Sequence, residues 1–365
     1  MQNRRARALP LPNASQPTSK EPSDDPRLVP LTATAGGWNR FWFTPSHPAT
    51  LSVIRIATGT LLFYSHLVWA LHSSSFFGET SWLNGPATDV LRGDGYGFSL
   101  MTLIDGQPAA MFAVHALALV ASLCLAIGCF SRIAALTTFV LTVSFANRNP
   151  GALYGFDQIL GFLTLYLTIN PGHGWLSIDA WRARRRIERD SGSRLNALCP
   201  QPSVTIATRL IQLHLCLLYF VAGISKLKGA TWWSGVAFWG AIGNQEYQTV
   251  DLTALVHWPV IINLLTHVTL AWEISYPFVV WNRWLRPFAL AMAVVVHAGI
   301  GICFGMLTFG MIMIAANVAF VSPTLIRQLA GEADGSSTRH EPRRDRASQP
   351  AGLNRGRSSK NLHPV

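Results

Sequence analysis

Residues 287–322 read "PFALAMAVVVHAGIGICFGMLTFGMIMIAANVAFVS" and contain no Asp, Glu, Lys or Arg. As one helix the block would be about 54 Å long, far more than the roughly 30 Å of hydrocarbon in a bilayer. It must therefore break, most easily between Gly301 and Gly305. Outward from this block, further apolar runs lie near 49–72, 109–128, 132–147, 156–169, 204–227 and 256–281. With the block counted as two, they predict an all-α, polytopic membrane helix bundle of about eight transmembrane helices. The third and fourth runs are short, and "NRNPGALYG" at 147–155 reads as a turn or re-entrant stretch at membrane depth.

Composition agrees with this architecture. Half of the 365 residues are hydrophobic and 13% are charged, which is unusual for a soluble chain. Residues 1–36, rich in Pro, Ser, Arg and Asp, cannot bury enough apolar area to fold alone and are expected to be a disordered cytoplasmic tail. Residues 324–365 are expected to be a disordered, basic cytoplasmic tail, which leaves 37–323 as the transmembrane domain. The first apolar run begins only near Ala49, so the first span is expected to act as its own uncleaved signal.

An even number of spans puts both tails on one side. With the tails cytoplasmic, the inside collects Arg132, "RARRRIERD" at 182–190, Arg283, Arg286 and the arginines of the C-terminal tail. The outside keeps Arg92, Arg148, Lys226 and Lys228, and its 73–108 loop carries Glu79, Asp89, Asp94 and Asp105. The expectation is a multi-pass protein of the bacterial inner membrane with both termini cytoplasmic. Trp42, Trp69, Trp175, Trp232, Trp258 and Trp281 fall near segment ends, as an aromatic belt would.

Polar groups inside the spans need a reason, because ionised side chains are costly there. Arg55 is expected to snorkel to the cytoplasmic face. Asp157 opens the fourth span, where a carboxylate either caps the helix or binds something. Glu273 lies deep in the sixth span, with His267 nearly two turns before it, and must be protonated or paired. His66, His115, His214, His267 and His297 recur in the spans; a lone intramembrane histidine packs more often than it binds.

Several function classes drop out. The net charge of +11 sits in short clusters between apolar runs without an aromatic-basic platform, so no nucleic-acid partner is expected. Histidines lacking metal-ligand spacing predict no metal site. "GDGYGFS" at 93–99 is a turn-rich loop outside any strand–helix phosphate cradle, and no nucleophile elbow is present. Cys124, Cys129, Cys199, Cys216 and Cys303 are scattered and predict no disulfide framework. The Gly301/Gly305 spacing reads as close helix packing.

Four stretches carry a resemblance: "RFWFTPSHPATLSVIRIATG" (40–59), "NRNPGALYGFDQILGFLTLYLTINPGHGWLSID" (147–179), "YFVAGISKLKGATWWSG" (219–235) and "VVVHAGIGICFGMLTFGMIMIAANVAFVSP" (294–323). In this order they resemble the horizontally transferred transmembrane (HTTM) domain family, the membrane part shared with vitamin K-dependent gamma-glutamyl carboxylase. The resemblance implies that Lys226, in the fifth-span ending, matches the carboxylase's active-site lysine, and that His297 matches a family histidine. Lys228 has no counterpart. The carboxylase's Asn-His pair after its third span corresponds to Asn149 and Pro150, and no counterpart of its luminal substrate domain follows residue 323.

Three readings stay open. The first is a carboxylase- or epoxidase-like membrane enzyme that uses a reduced quinone or another lipid, with Lys226 and His297 catalytic. Lys226 would be the base, dried beneath "WWSG", and Lys228 the solvated lysine of the pair. The second is a lipid- or quinone-binding or transport protein without turnover. The third is a membrane scaffold. Asn149, Asp157, His214, His267 and Glu273 are the candidate binding residues. Membrane lipid is the expected partner, with a quinone as the candidate cofactor.

Overall fold

The computed structural model describes residues 29–77, 81, 85–92, 97–104, 106–191 and 200–332. Its helices in chain order are α1 (Val29–Phe43), α2 (Ala49–Leu71), α3 (Ser73–Phe77), α4 (Gly85–Arg92), α5 (Pro108–Ile127), α6 (Ser131–Arg148), α7 (Gly155–Ile169) and α8 (Ile178–Ser191). They continue as α9 (Pro202–Lys226), α10 (Ala230–Trp233), α11 (Ala237–Ile242), α12 (Pro259–Val279), α13 (Arg286–Cys303), α14 (Leu307–Asn317) and α15 (Pro323–Leu329). Among the described residues no strand forms, and a single backbone bridge joins Ser46 to Gln201.

A helix occupies each apolar run of the sequence. Proline stands in the first turn of α5, α9, α12, α13 and α15, where its missing N–H costs nothing. By length and apolar composition four helices among the described residues can cross a membrane: α2, α5, α9 and α13. A fifth candidate is Leu307–Phe320 with α15, bent by 117° at the break between them. The 15-residue α7 is apolar but shorter. The outward faces are apolar where water-facing helices would be polar: Phe112 is 76% exposed and Phe288 74%.

The long apolar block breaks where its length demands. Helix α13 ends at Cys303, and Gly305 takes the left-handed φ of +68° before α14 begins. Gly305 is therefore a turn residue, which corrects its reading as a helix-packing glycine. The close approach falls to Gly310 instead, where an added Cβ would lie 2.4 Å from the carbonyl oxygen of His297. "NRNPGALYG" forms a short turn of 3₁₀ helix at Pro150–Ala152.

Two ends of the bundle are chemically distinct. The loop end carries α3, α4, α10, α11 and the turns at 149–154 and 304–306. The other end collects Arg132, the arginines of α8, Arg283, Arg286 and Arg327, and is tied by the Ser46–Gln201 bridge and a Thr205 hydroxyl bond to the Thr44 carbonyl. At this arginine end Asp179, the second residue of α8, accepts from the Phe130 and Ser131 amides at 3.0 and 2.8 Å and from the Ser131 hydroxyl at 2.7 Å. It thereby satisfies amides at the start of α6 that no helical carbonyl reaches. Burial pushes the Asp179 carboxyl up, but the Ser131 and Phe130 donors outweigh it and hold it below the usual carboxylate range.

Arg55 departs from expectation. Its side chain is fully buried rather than snorkelled. Nη1 donates to the Leu125 and Ala126 carbonyls, both at 2.7 Å, and Nη2 to Leu176 at 2.6 Å. The guanidinium thus meets the carbonyl-rich, negative end of α5. Gly128 makes room: its φ is +70°, and an added Cβ would fall 2.7 Å from Arg55 Nη1. Trp175 is also buried, with its indole N–H donating to Glu332, so it is no member of an interfacial belt.

The expected tail boundaries fall inside helices. Residues 29–36 belong to α1, whose Phe41 packs on Trp281 and beneath Arg209, and α15 crosses the boundary at 323. Residues 1–28 and 333–365, and Cys199, lie outside the described residues. Cys124, Cys129, Cys216 and Cys303 are free thiols. The main core runs through α2, α7, α9, α12, α13 and α14, and a smaller one at the loop end joins Phe77, Met101, Met111, Leu141 and Phe145.

Candidate functional site

The site grows from the contact of α9 with α12. Gly223 lies one turn before Lys226, and a Cβ there would sit 2.7 Å from Ile274 Cγ1 and 3.3 Å from Glu273 Cβ. Glycine lets the two helices close to this distance. The Lys226 side chain then reaches Glu273, with Nζ 2.8 Å from Oε1 and 2.6 Å from Oε2. The Lys226 ammonium also stands 5.3 Å from the centre of the Trp232 ring. The pair is largely buried, at 26% side-chain exposure for Lys226 and 11% for Glu273. Pro277, four residues after Glu273 inside α12, has no N–H to offer the Glu273 carbonyl, which weakens the helix beside the carboxylate.

Deeper between the same helices lies a second set of polar groups. Tyr219, seven residues before Lys226 on α9, meets His297 of α13, with Oη 2.8 Å from Nε2. The Asn317 amide of α14 donates to Tyr219 Oη at 2.9 Å, and the Tyr276 hydroxyl of α12 donates to Asn317 Oδ1. Tyr219 and Tyr276 rings lie 4.3 Å apart, and Trp272 packs on both. His297 Nδ1 has no hydrogen-bond partner. Trp272, the residue before Glu273, stands 6.3 Å from the His297 ring, which joins the two sets.

Of the candidate residues, Lys226, Glu273 and His297 come together here. The others go elsewhere. His267 is exposed, with Nδ1 2.9 Å from the Asn263 carbonyl oxygen of its own helix. His214 stacks on Phe162 at 3.9 Å and bonds the Tyr166 hydroxyl. Asn149, at the loop end, donates to the Phe76 carbonyl. Asp157 completes a capping box at the start of α7, accepting from the Tyr154 amide at 3.1 Å. It also lines a cleft of about 630 Å³ between α2, α7 and α14, whose other walls include Tyr64, Val68, Trp69 and Met311.

Tyr219, Tyr276 and Asn317 enter the site without having been singled out in the sequence. The signal for Asn317 was an amide in an otherwise apolar run; that for Tyr219 was its two-turn spacing from Lys226. Lys228 is exposed. Among the described residues no group of three or more His, Cys, Asp or Glu side chains could hold a metal ion. The buried ion pair can bind a hydroxyl or carbonyl between its charges and exchange a proton with it.

No curated protein and no solved structure matches the chain. The HTTM domain family model matches residues 43–324, a range that contains every residue of the polar cluster. The chain belongs to the HTTM domain family.

Proposed function

We propose that this HTTM-domain membrane protein binds a reduced quinone or a lipid of similar headgroup and acts on it through the Lys226–Glu273 pair. The observation that carries the reading is the pair itself: an ammonium and a carboxylate on the wall of an apolar core, roofed by Trp232. The carboxylate alters the role foreseen for the lysine. With Glu273 ionised beside it, Lys226 is a cation rather than a free amine, and Glu273 becomes the base. In this scheme the O–H bond of a quinol hydroxyl breaks, its proton goes to a Glu273 oxygen, and the phenolate left behind is held by the Lys226 ammonium. His297 and Tyr219 line the deeper wall and orient what enters.

A second reading, binding or transport without turnover, is favoured by the cleft of about 630 Å³, which is large enough for a lipid chain. In both readings the eight helices at the apolar runs are membrane spans of a bacterial inner membrane protein, and the arginine end faces the cytoplasm. A cysteine placed in 228–255 is then labelled from outside by an impermeant reagent, and one in 182–194 is not.

The test is mass spectrometry of lipids that copurify with detergent-extracted protein, followed by quinol binding by the variants. A stoichiometric quinone is expected, with loss of quinol binding in Lys226→Met and Glu273→Gln and none in the exposed-lysine control Lys228→Met. Bulk phospholipid alone, or equal behaviour of the two lysine variants, would overturn it.

A further inference from the structure

Away from the Lys226 site, buried polar atoms without a hydrogen-bond partner gather along one seam. They are Thr58 Oγ1 and both ring nitrogens of His66 on α2, Nδ1 of His115 on α5, Oγ1 of Thr138 and Thr142 on α6, and Oδ1 of Asn149 just after it. The spacing places them together. Thr138, Thr142, Phe145 and Asn149 follow one another at four, three and four residues and share one stripe. The Phe145 ring stands 5.0 Å from His66 and 5.0 Å from His115, so that stripe faces both histidines and the three helices meet there. His66 and Thr58 lie on one side of α2, two turns apart.

These groups descend from the loop end into the bundle. At about 1.5 Å per residue His66 lies roughly 8 Å inside the end of α2 and Thr58 roughly 20 Å inside it. All six are buried. A hydroxyl in a helix is readily satisfied by the carbonyl four residues back, as Ser122, Ser144 and Thr164 are. Thr58, Thr138 and Thr142 leave that option unused. A neutral imidazole carries one donor and one acceptor, and His66 uses neither. Polar groups buried away from water are costly, and most so at membrane depth, so a seam this rich in them calls for a hydrogen-bonding occupant along its length.

We propose that the seam between α2, α5 and α6 is a hydrated path that admits water from the loop end, past Asn149, to Thr58 and Thr138. His66 and His115 are its proton-exchanging groups: the ring nitrogens accept a proton from one water and return one to the next. His115 is steadied by Ser73, whose hydroxyl lies 3.2 Å from Nε2. Arg55, one turn beyond Thr58, closes the inner end, because its guanidinium is tied to three carbonyls and its charge repels an arriving proton. The path is independent of the Lys226 chemistry.

The test is X-ray hydroxyl-radical footprinting of the full chain in lipid nanodiscs, in which radicals formed from internal water label adjacent side chains. Phe145 is 0% exposed, as dry by accessibility as Phe156 at 3% and Phe320 at 4% in the main core. The seam predicts Phe145 to be labelled severalfold faster than both. Equal rates would mean a dry seam and end the proposal, and the comparison is internal to the native chain, so it needs no variant to fold. Water-edited solid-state NMR of ¹⁵N-histidine protein then reads proton exchange. The ring nitrogens of His66 and His115 should take up water magnetisation as fast as exposed His72, and signals that stay dark would overturn their role.

Discussion

Lys226 and Glu273 face each other across the α9–α12 contact, with the ammonium 2.6 and 2.8 Å from the two carboxylate oxygens. Removing one partner leaves the other charge buried and alone. Lys226→Met is therefore expected to cost about 2–3 kcal/mol, the low end for a broken buried pair because Lys226 keeps some contact with water. The double variant Lys226→Met, Glu273→Met removes both charges and should recover most of that loss. Thermal unfolding in detergent measures both. A double variant less stable than either single one would show that the pair is not the unit of stability.

Tyr219 holds two buried partners at once, His297 and Asn317. Tyr219→Phe strands both and is expected to cost about 2–4 kcal/mol, from one unmade buried hydrogen bond on each. Tyr166→Phe also removes a tyrosine–histidine bond, to His214. That change leaves one partly buried group without its partner rather than two buried ones, so its cost should be about half as large, about 1–2 kcal/mol. Denaturant titration of the two variants side by side checks the contrast.

The helices and the break near Gly305 were legible because each follows from a local quantity, the length and hydropathy of a run. The site was legible only in part. Lys226 and Glu273 each stood out as a charge in apolar surroundings, but their pairing depends on Gly223 admitting α12, and no local pattern reports a contact 47 residues away. Arg55 was misread for a related reason. Snorkelling considers a side chain and its own helix, whereas the guanidinium turned to carbonyls at the end of the neighbouring helix. Asn317 carries no charge to mark it in the sequence, yet a neutral amide needs a partner in hydrocarbon just as a titratable group does.

The Arg55 cap predicts two linked losses. Arg55→Met removes three bonds, to the carbonyls of Leu125, Ala126 and Leu176, and should cost about 5 kcal/mol or more, or prevent folding, since each bond from a charged donor contributes about 1.5–3 kcal/mol. Gly128→Ala should mimic it from the other side, because its Cβ would occupy the guanidinium's position and its φ of +70° is strained for alanine. Limited proteolysis at the α5–α6 turn reads both. Intact protection in Gly128→Ala would mean that the guanidinium has room to move.

Asp179 gives the arginine end a defined response to acid. Burial raises its carboxyl, but the Ser131 amide and hydroxyl and the Phe130 amide outweigh that, so its pKa in the folded protein lies below the unfolded value of about 3.9. A group with a depressed folded pKa binds its proton more readily when unfolded. Its contribution is therefore complete at neutral pH and is lost only as pH falls below about 4 through the folded value. Asp179→Asn cannot accept from all three donors and should lose about 1 kcal/mol at neutral pH, the size of a missing helix cap. The gap between native and variant should then close in strong acid. Thermal melts of the two proteins from pH 7 down to pH 3 measure it. A gap that stays constant across that range would mean that the Asp179 charge contributes nothing, and no gap at neutral pH would mean that the amide caps α6 as well as the carboxylate does.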